Sequence, residues 1–419
     1  MIYFDHAATC PMSGKAIDTM TALLKEGYGN PSSQHRLGRE AKNALEGARL
    51  DVAELFGLSM KNVLFTGSGT EADNIAVMSA YKNRKQSPGH MITTAIEHEA
   101  VLKCAEALEK EGVAVTFIAP DKDGVVRAED ILAAVREETF LVSVMAVNNE
   151  VGSLQPLEKI KEGLPEGVHF HVDAVQAAGH RPADTYAFAD TVAMSGHKFY
   201  GPKGVGILLT RKEPEPVIYG GGQERGIRSG TENVPGICAM VEALKEAEAR
   251  REEDAERIGR LTSRLREGLA EIDGVTLTVP AADGRITHAM VDGISRDVLL
   301  YQLDRRGFAL SGGSACQAGA ATKSHVLEAM GVDQRNRAPM RLSLGRENTM
   351  DEVEAFLNAL REIIEGKRSW SHTRRNVRRR RFLRGRLFTE KSRARMHRRY
   401  HETVRKRHGG PHRPHLLLP

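Results

Sequence analysis

The sequence predicts an α/β protein, with a mainly parallel sheet in the first half of the chain and a smaller α/β domain after it. Three observations carry this. Up to about residue 210, short β-branched runs alternate with helical stretches, the rhythm of βα units. A long, charge-rich helical stretch then covers 235–272, and new strand signals follow at Val275–Val279 and Ala289–Asp292. A chain of 419 residues also exceeds what one core usually organises, which favours about two domains.

The elements follow in order. Residues 38–57 (GREAKNALEGARLDVAELFG) place Ala41, Ala44, Leu45, Ala48, Val52 and Leu55 near helical spacing, and Gly57 closes the helix. Strands are expected at Asn62–Thr66, Thr139–Val147 and Val168–Val172, each an apolar run between helical stretches. Thr191–Met194 and Gly204–Leu209 form two more, on either side of a glycine-flanked turn. The second domain ends near Ile364, and no internal repeat is visible.

Composition narrows the function classes. Hydrophobic content of 41% and charged content of 27% are ordinary for a globular protein. No apolar run approaches the roughly 20 residues of a membrane span, and MIYFDHAATCPM lacks the layout of a signal peptide. A cytoplasmic location is expected. Cys10, Cys104, Cys238 and Cys316 are scattered, which excludes a disulfide framework or zinc site and fits a reducing compartment. Of 60 Lys/Arg and 55 Asp/Glu, residues 367–419 hold 19 and 2, so the rest of the chain is acidic. Such like-charge density disfavours compact folding. The tail reads as a solvated or RNA-contacting extension, a frame-shift or read-through product, or a partner-docking arm.

Chemistry gathers at strand ends. Ser195-Gly196-His197-Lys198-Phe199-Tyr200-Gly201 sets a lysine on a rigid turn, which suits a Schiff base to an aldehyde cofactor, although a surface lysine would look the same. Thr66-Gly67-Ser68-Gly69-Thr70-Glu71 opens a helix and offers backbone N–H groups to a phosphate, without the Lys-Ser/Thr of a P-loop. Asp173, in His171-Val172-Asp173-Ala174-Val175-Gln176, ends a strand where it could pair with a pyridine nitrogen or merely cap a helix. Asn148-Asn149-Glu150 follows another strand. Ligands of open α/β sheets bind outside the carboxyl ends of strands, where these groups all fall.

The ordered motifs YFDHAAT, GNPSSQHRLGREA, FTGSGTEADN, EHEAVL, VNNEVG, HVDAVQ, SGHKFYGPKG, GGGQERGIRSGTEN, SGGSACQAG and RLSLGRENT span nearly all of residues 1–365. In them the chain resembles the aminotransferase class V family of fold-type I pyridoxal-phosphate enzymes, and within it cysteine desulfurases of the NifS/IscS type. The resemblance implies a large cofactor domain over 15–255 with a seven-stranded sheet, a small domain from 1–14 and 256–366, and a homodimer. It implies that Lys198 carries pyridoxal 5'-phosphate and acts as base at the substrate Cα. Asp173 would meet the ring nitrogen, Gln176 the phenolic oxygen, and His98 the ring face. Gly69, Thr70, Ser195 and His197 would bind phosphate, with Thr231 arriving from the partner subunit. Arg341 would hold the carboxylate of L-cysteine, with Asn149 beside cofactor and substrate. Cys316, among small residues in SGGSACQAGAA, would take the sulfur as a persulfide, pass it to an iron–sulfur scaffold or a tRNA-thiolation enzyme, and transiently ligate an iron–sulfur cluster; no resident metal is implied. Selenocysteine lyase and cysteine sulfinate desulfinase are the alternatives. Two departures stand out: QAGAATKSHVL replaces the usual serines and Pro-Ser after the cysteine, and ATCP replaces ATTP.

Overall fold

The computed structural model describes residues 1–280, 284–313 and 323–366. One compact unit spans Met1–Ala359 and a second begins at Leu360, of which the described residues 360–366 are helical. Among the described residues no helix is long and apolar enough to cross a membrane.

A seven-stranded sheet organises the first unit. Across it the strands run Val63–Thr66, Gly206–Thr210, Thr191–Ser195, His169–Asp173, Thr139–Met145, His90–Thr94 and Ala114–Ile118. All neighbours are parallel except Gly206–Thr210, which is antiparallel to both of its partners. Every residue of Thr139–Met145 and Thr191–Ser195 is buried, as expected of strands covered on both faces. This is why these segments read as unbroken apolar runs rather than alternating ones.

Local chemistry sets the ends of the elements. The helix Arg36–Leu55 stops where Gly57 takes φ +61 and the Leu58 N–H donates back to the Ala53 carbonyl, closing the last turn. The strand expected to reach Val147 ends at Met145, because Val147 leaves the parallel ladder to bridge Leu154 in a tight hairpin. The 37-residue helix Val234–Ala270 starts with Asn233 capping the Gly236 N–H and runs unbroken past residue 255. Beyond it, Val275–Leu277, Ile286–Asp292 and Arg337–Ser343 form an antiparallel sheet, its middle strand starting three residues earlier than expected.

The N-terminus belongs with this later part of the chain. Ile2–Tyr3 pairs in parallel with Phe308–Ala309, and the Ser343 N–H donates to the Phe4 carbonyl. Phe4 is buried against Phe308 and Phe356. Those contacts fix where Ala7 and Ala8 lie, which matters for Lys198.

Candidate active site

Three adjacent strands end at one edge of the large sheet. Met145 is in register with Asp173, and Asp173 with Ala193, two residues before Ser195. From those ends come Asn149, Asp173 and the turn Gly196–Lys198. They line a cavity of about 220 Å³ together with Gly69, Thr70, His98, Gln176, Ser195, His197 and Arg341. Ten of the twelve residues expected in the site therefore meet at one place, Lys198 and Asp173 among them.

The Lys198 amine donates to the Ala7 carbonyl at 2.7 Å and to that of Ala8 at 2.8 Å. Asp173 is buried and accepts from the Val175 N–H at 2.9 Å. Burial pushes its carboxyl up, while His98 and Lys198 pull it back toward the charged form. At the other end of the cavity begins the helix Gly69–Lys82, its Ser68 cap accepting from the Glu71 N–H. A Cβ on Gly69 would lie 2.6 Å from Val175, so only glycine lets the helix start approach this closely. His197 lies beside it with Nδ1 buried and unpartnered among the described residues; burial, then Lys198 and Lys203, pulls its pKa down to about 4. Free first-turn amides and an unmatched imidazole nitrogen suit a phosphate, and a buried carboxyl with a nearby amine suits a pyridine aldehyde. The donor set thus fits pyridoxal phosphate.

His98 caps the helix Glu99–Lys110, its Nδ1 accepting from the Ala100 N–H at 3.1 Å. The neutral ring therefore carries its proton on Nε2. Arg341 is fully buried and already engaged: one nitrogen donates to the Asn149 carbonyl at 2.9 Å and another to Asp5 at 2.8 Å. Thr231 is exposed and does not line the cavity. Its loop is tied nearby, Arg228 meeting Glu71 at 2.5 Å and Glu224 holding the buried Arg49 through two contacts. Cys316 and the basic tail lie outside the described residues. On either side of Cys316, Ser311 donates to Asp5 and Ser324 donates to the buried Glu150.

Two further participants stand inside quoted motifs but were given no role from the sequence, Asp73 in FTGSGTEADN and His171 in HVDAVQ. Asp73, four residues into the helix from Gly69, lines the cavity and meets His171 Nε2 at 3.2 Å. Burial pulls His171 down to about 3 and pushes Asp73 well up, with Asp173 and Glu97 adding to the push. Burial therefore disfavours the charged form of both partners in this contact. The four-residue spacing from Gly69 was the available signal for Asp73, since it puts both on one helix face.

Fold and cavity together define a fold-type I enzyme of the pyridoxal-phosphate class. The aminotransferase class V profile matches residues 2–356. The cysteine desulfurase IscS of Methanosarcina thermophila is 39% identical over 381 residues, covering 88% of this chain and 93% of that protein. A solved NifS-like protein superposes with a TM-score of 0.81 at 37% identity, over 87% of this chain and 99% of its own. Another, SspA in complex with cysteine, gives 0.73 at 30%, over 83% and 100%. The chain belongs to the aminotransferase class V family, among its NifS/IscS-type cysteine desulfurases.

Proposed function

We propose that the chain binds pyridoxal 5'-phosphate, converts L-cysteine to L-alanine and carries the sulfur as a persulfide on Cys316. The observation that supports this most is the convergence of the Lys198 amine, the buried Asp173 carboxyl and the unpartnered His197 nitrogen around one cavity at a helix start. When bound, the cofactor ring withdraws electrons from the substrate Cα and so loosens its proton and the Cβ–S bond. Asp173 would face the ring nitrogen, Gln176 the phenolic oxygen, and Gly69, Thr70, Ser195 and His197 the phosphate, with Thr231 of a second subunit completing it.

The chain's own groups then have distinct tasks. Lys198 Nζ takes the Cα proton and returns it to the product, and the His98 Nε2–H supplies or collects protons elsewhere in the cavity. Arg341 holds the substrate carboxylate, which must share or displace Asp5, with Asn149 alongside. The Cys316 thiolate attacks the substrate sulfur: an S–S bond forms as the Cβ–S bond breaks, the electron pair stays on Cβ, and a proton completes alanine. Cysteine and a thiol become alanine and a persulfide, so no external oxidant or reductant is required.

Purified protein is expected to absorb in the visible, to change spectrum on adding cysteine, and to yield pyridoxal fixed to the Lys198 peptide after borohydride. Recovery on another lysine would overturn the assignment. Alanine release from cysteine, selenocysteine and cysteine sulfinate, compared side by side, separates desulfurase from lyase and desulfinase. Co-expressing Lys198→Ala with Thr231→Ala subunits tests the homodimer, since a shared site leaves one intact site per mixed dimer. The reading extends to a cytoplasmic enzyme handing sulfur to an iron–sulfur scaffold or tRNA-thiolation partner, with the 367–419 tail as a candidate RNA contact.

A further inference from the structure

Arg285 immediately precedes the strand Ile286–Asp292, outside every motif named above, yet its side chain is buried. Its Nη2 donates to Gln176 Oε1 at 2.8 Å, and the Gln176 amide nitrogen donates in turn to the Ala7 carbonyl at 2.9 Å. That same carbonyl accepts from the Lys198 amine at 2.7 Å. A second limb runs from Arg285 Nη1 to the Cys10 sulfur at 3.9 Å, and Cys10 donates to the Lys198 backbone carbonyl at 3.2 Å. Both limbs end on Lys198, one at its amine and one at its backbone. Among the described residues no carboxylate forms an ion pair with Arg285.

A guanidinium has donors and no acceptor, so the atom of Gln176 that faces it must be the amide oxygen. The amide nitrogen is then forced toward the cavity side, where it presents N–H rather than a lone pair. We propose that Arg285 is a positioning residue of this enzyme, locking Gln176 as a hydrogen-bond donor at the Lys198 cavity and holding a buried cation on the hydrogen-bond network that reaches the reactive amine. The inference rests on the functional reading above and adds to it a residue that acts through its contacts with Gln176 and Cys10 and through its charge. A nearby cation favours loss of a proton from a cationic amine. The other ionisable groups around the pair are Asp173, Cys10 and His197 near Lys198, and Cys10, His180, Tyr200, His6, Arg346 and Glu347 on the side of Arg285. Asp173 and Glu347 carry carboxylates and oppose the effect of Arg285, while Arg346 adds to it.

Two measurements test this. In the cofactor-free protein, urea midpoints are compared for Gln176→Glu, Arg285→Met and the double variant. With Arg285 present, Gln176→Glu sets a carboxylate against the guanidinium and is tolerated; with Arg285→Met the same change is several-fold more damaging to the folding equilibrium. Additive effects would mean that Arg285 does not face the Gln176 oxygen and would overturn the proposal. In the pyridoxal-loaded protein, the visible band is titrated with pH. Arg285→Met should raise the midpoint by about one pH unit, and Arg285→Lys should restore it. An unmoved midpoint alongside a coupled stability cycle would overturn the link to Lys198 and leave the desulfurase reading standing. Wild-type protein that takes up no pyridoxal phosphate would refute that reading and this inference together.

Discussion

Glu97, one residue before His98, is fully buried, and its Oε1 accepts from the Thr94 hydroxyl at 2.7 Å and the Met145 N–H at 3.0 Å. Its Oε2 has no partner among the described residues. Burial outweighs those two bonds and raises its pKa from 4.5 to about 8, with the Asp173 carboxylate adding to the rise. The folded protein therefore holds a proton that the unfolded chain releases at lower pH. The resulting stabilisation is complete below pH 4.5 and is lost as pH rises to about 8. At about 1.4 kcal/mol per pH unit, that gap sets a ceiling of about 5 kcal/mol. Glu97→Gln keeps the acceptor oxygen and cannot ionise. Urea unfolding of the cofactor-free wild type and variant at half-unit steps from pH 5 to 9 measures the difference between them. The wild type should lose several kcal/mol relative to the variant by pH 8, after which the difference should flatten. A difference constant within about 0.5 kcal/mol across the range would refute the reasoning. For function, a protonated Glu97 spares Asp173 a second buried negative charge.

Asp5→Asn removes the charge that competes for Arg341 and should lower the KM for cysteine about fivefold with kcat little changed; an unchanged KM would count against Arg341 as the carboxylate site. Arg49→Met strands the buried Glu224 carboxylate and should cost about 3–5 kcal/mol in urea unfolding, where a loss below about 1 kcal/mol would show that the pair is not holding the 224–231 loop. Cys316→Ser should keep the visible band while stopping alanine release, and alkylation after cysteine should find an extra, reducible sulfur on Cys316 alone; full turnover would favour the lyase alternative. Removal of residues 367–419 should abolish any salt-sensitive tRNA binding and leave desulfuration intact, whereas equal binding with and without the tail would exclude it as an RNA contact.

The α/β class, the lysine turn and the glycine-opened helix start are local properties, and for that reason they stand in the sequence. Lys198 follows a strand and precedes a glycine within a few residues, and Gly69 opens its helix directly after Thr66-Gly67-Ser68. The order of the motifs was enough to identify the family, and ten of the residues it marks line one cavity. The direction of Gly206–Thr210 was not legible, because an apolar run reads the same in parallel and antiparallel ladders. Contacts between distant segments decided the rest. Arg341 reads as a free carboxylate clamp until the N-terminal strand pairing brings Asp5 to within 2.8 Å of it. Asp73 and Glu97 carry no assigned role in the sequence, and only the fold shows both buried within reach of Asp173. Arg285 lies 109 residues from Gln176 in a stretch with no motif, and only the packing of the later strands against the cofactor edge puts a guanidinium there. Residue type and short-range spacing determine which groups a site contains, while burial and long-range pairing determine which of them are charged, which are already engaged, and which way their donors point.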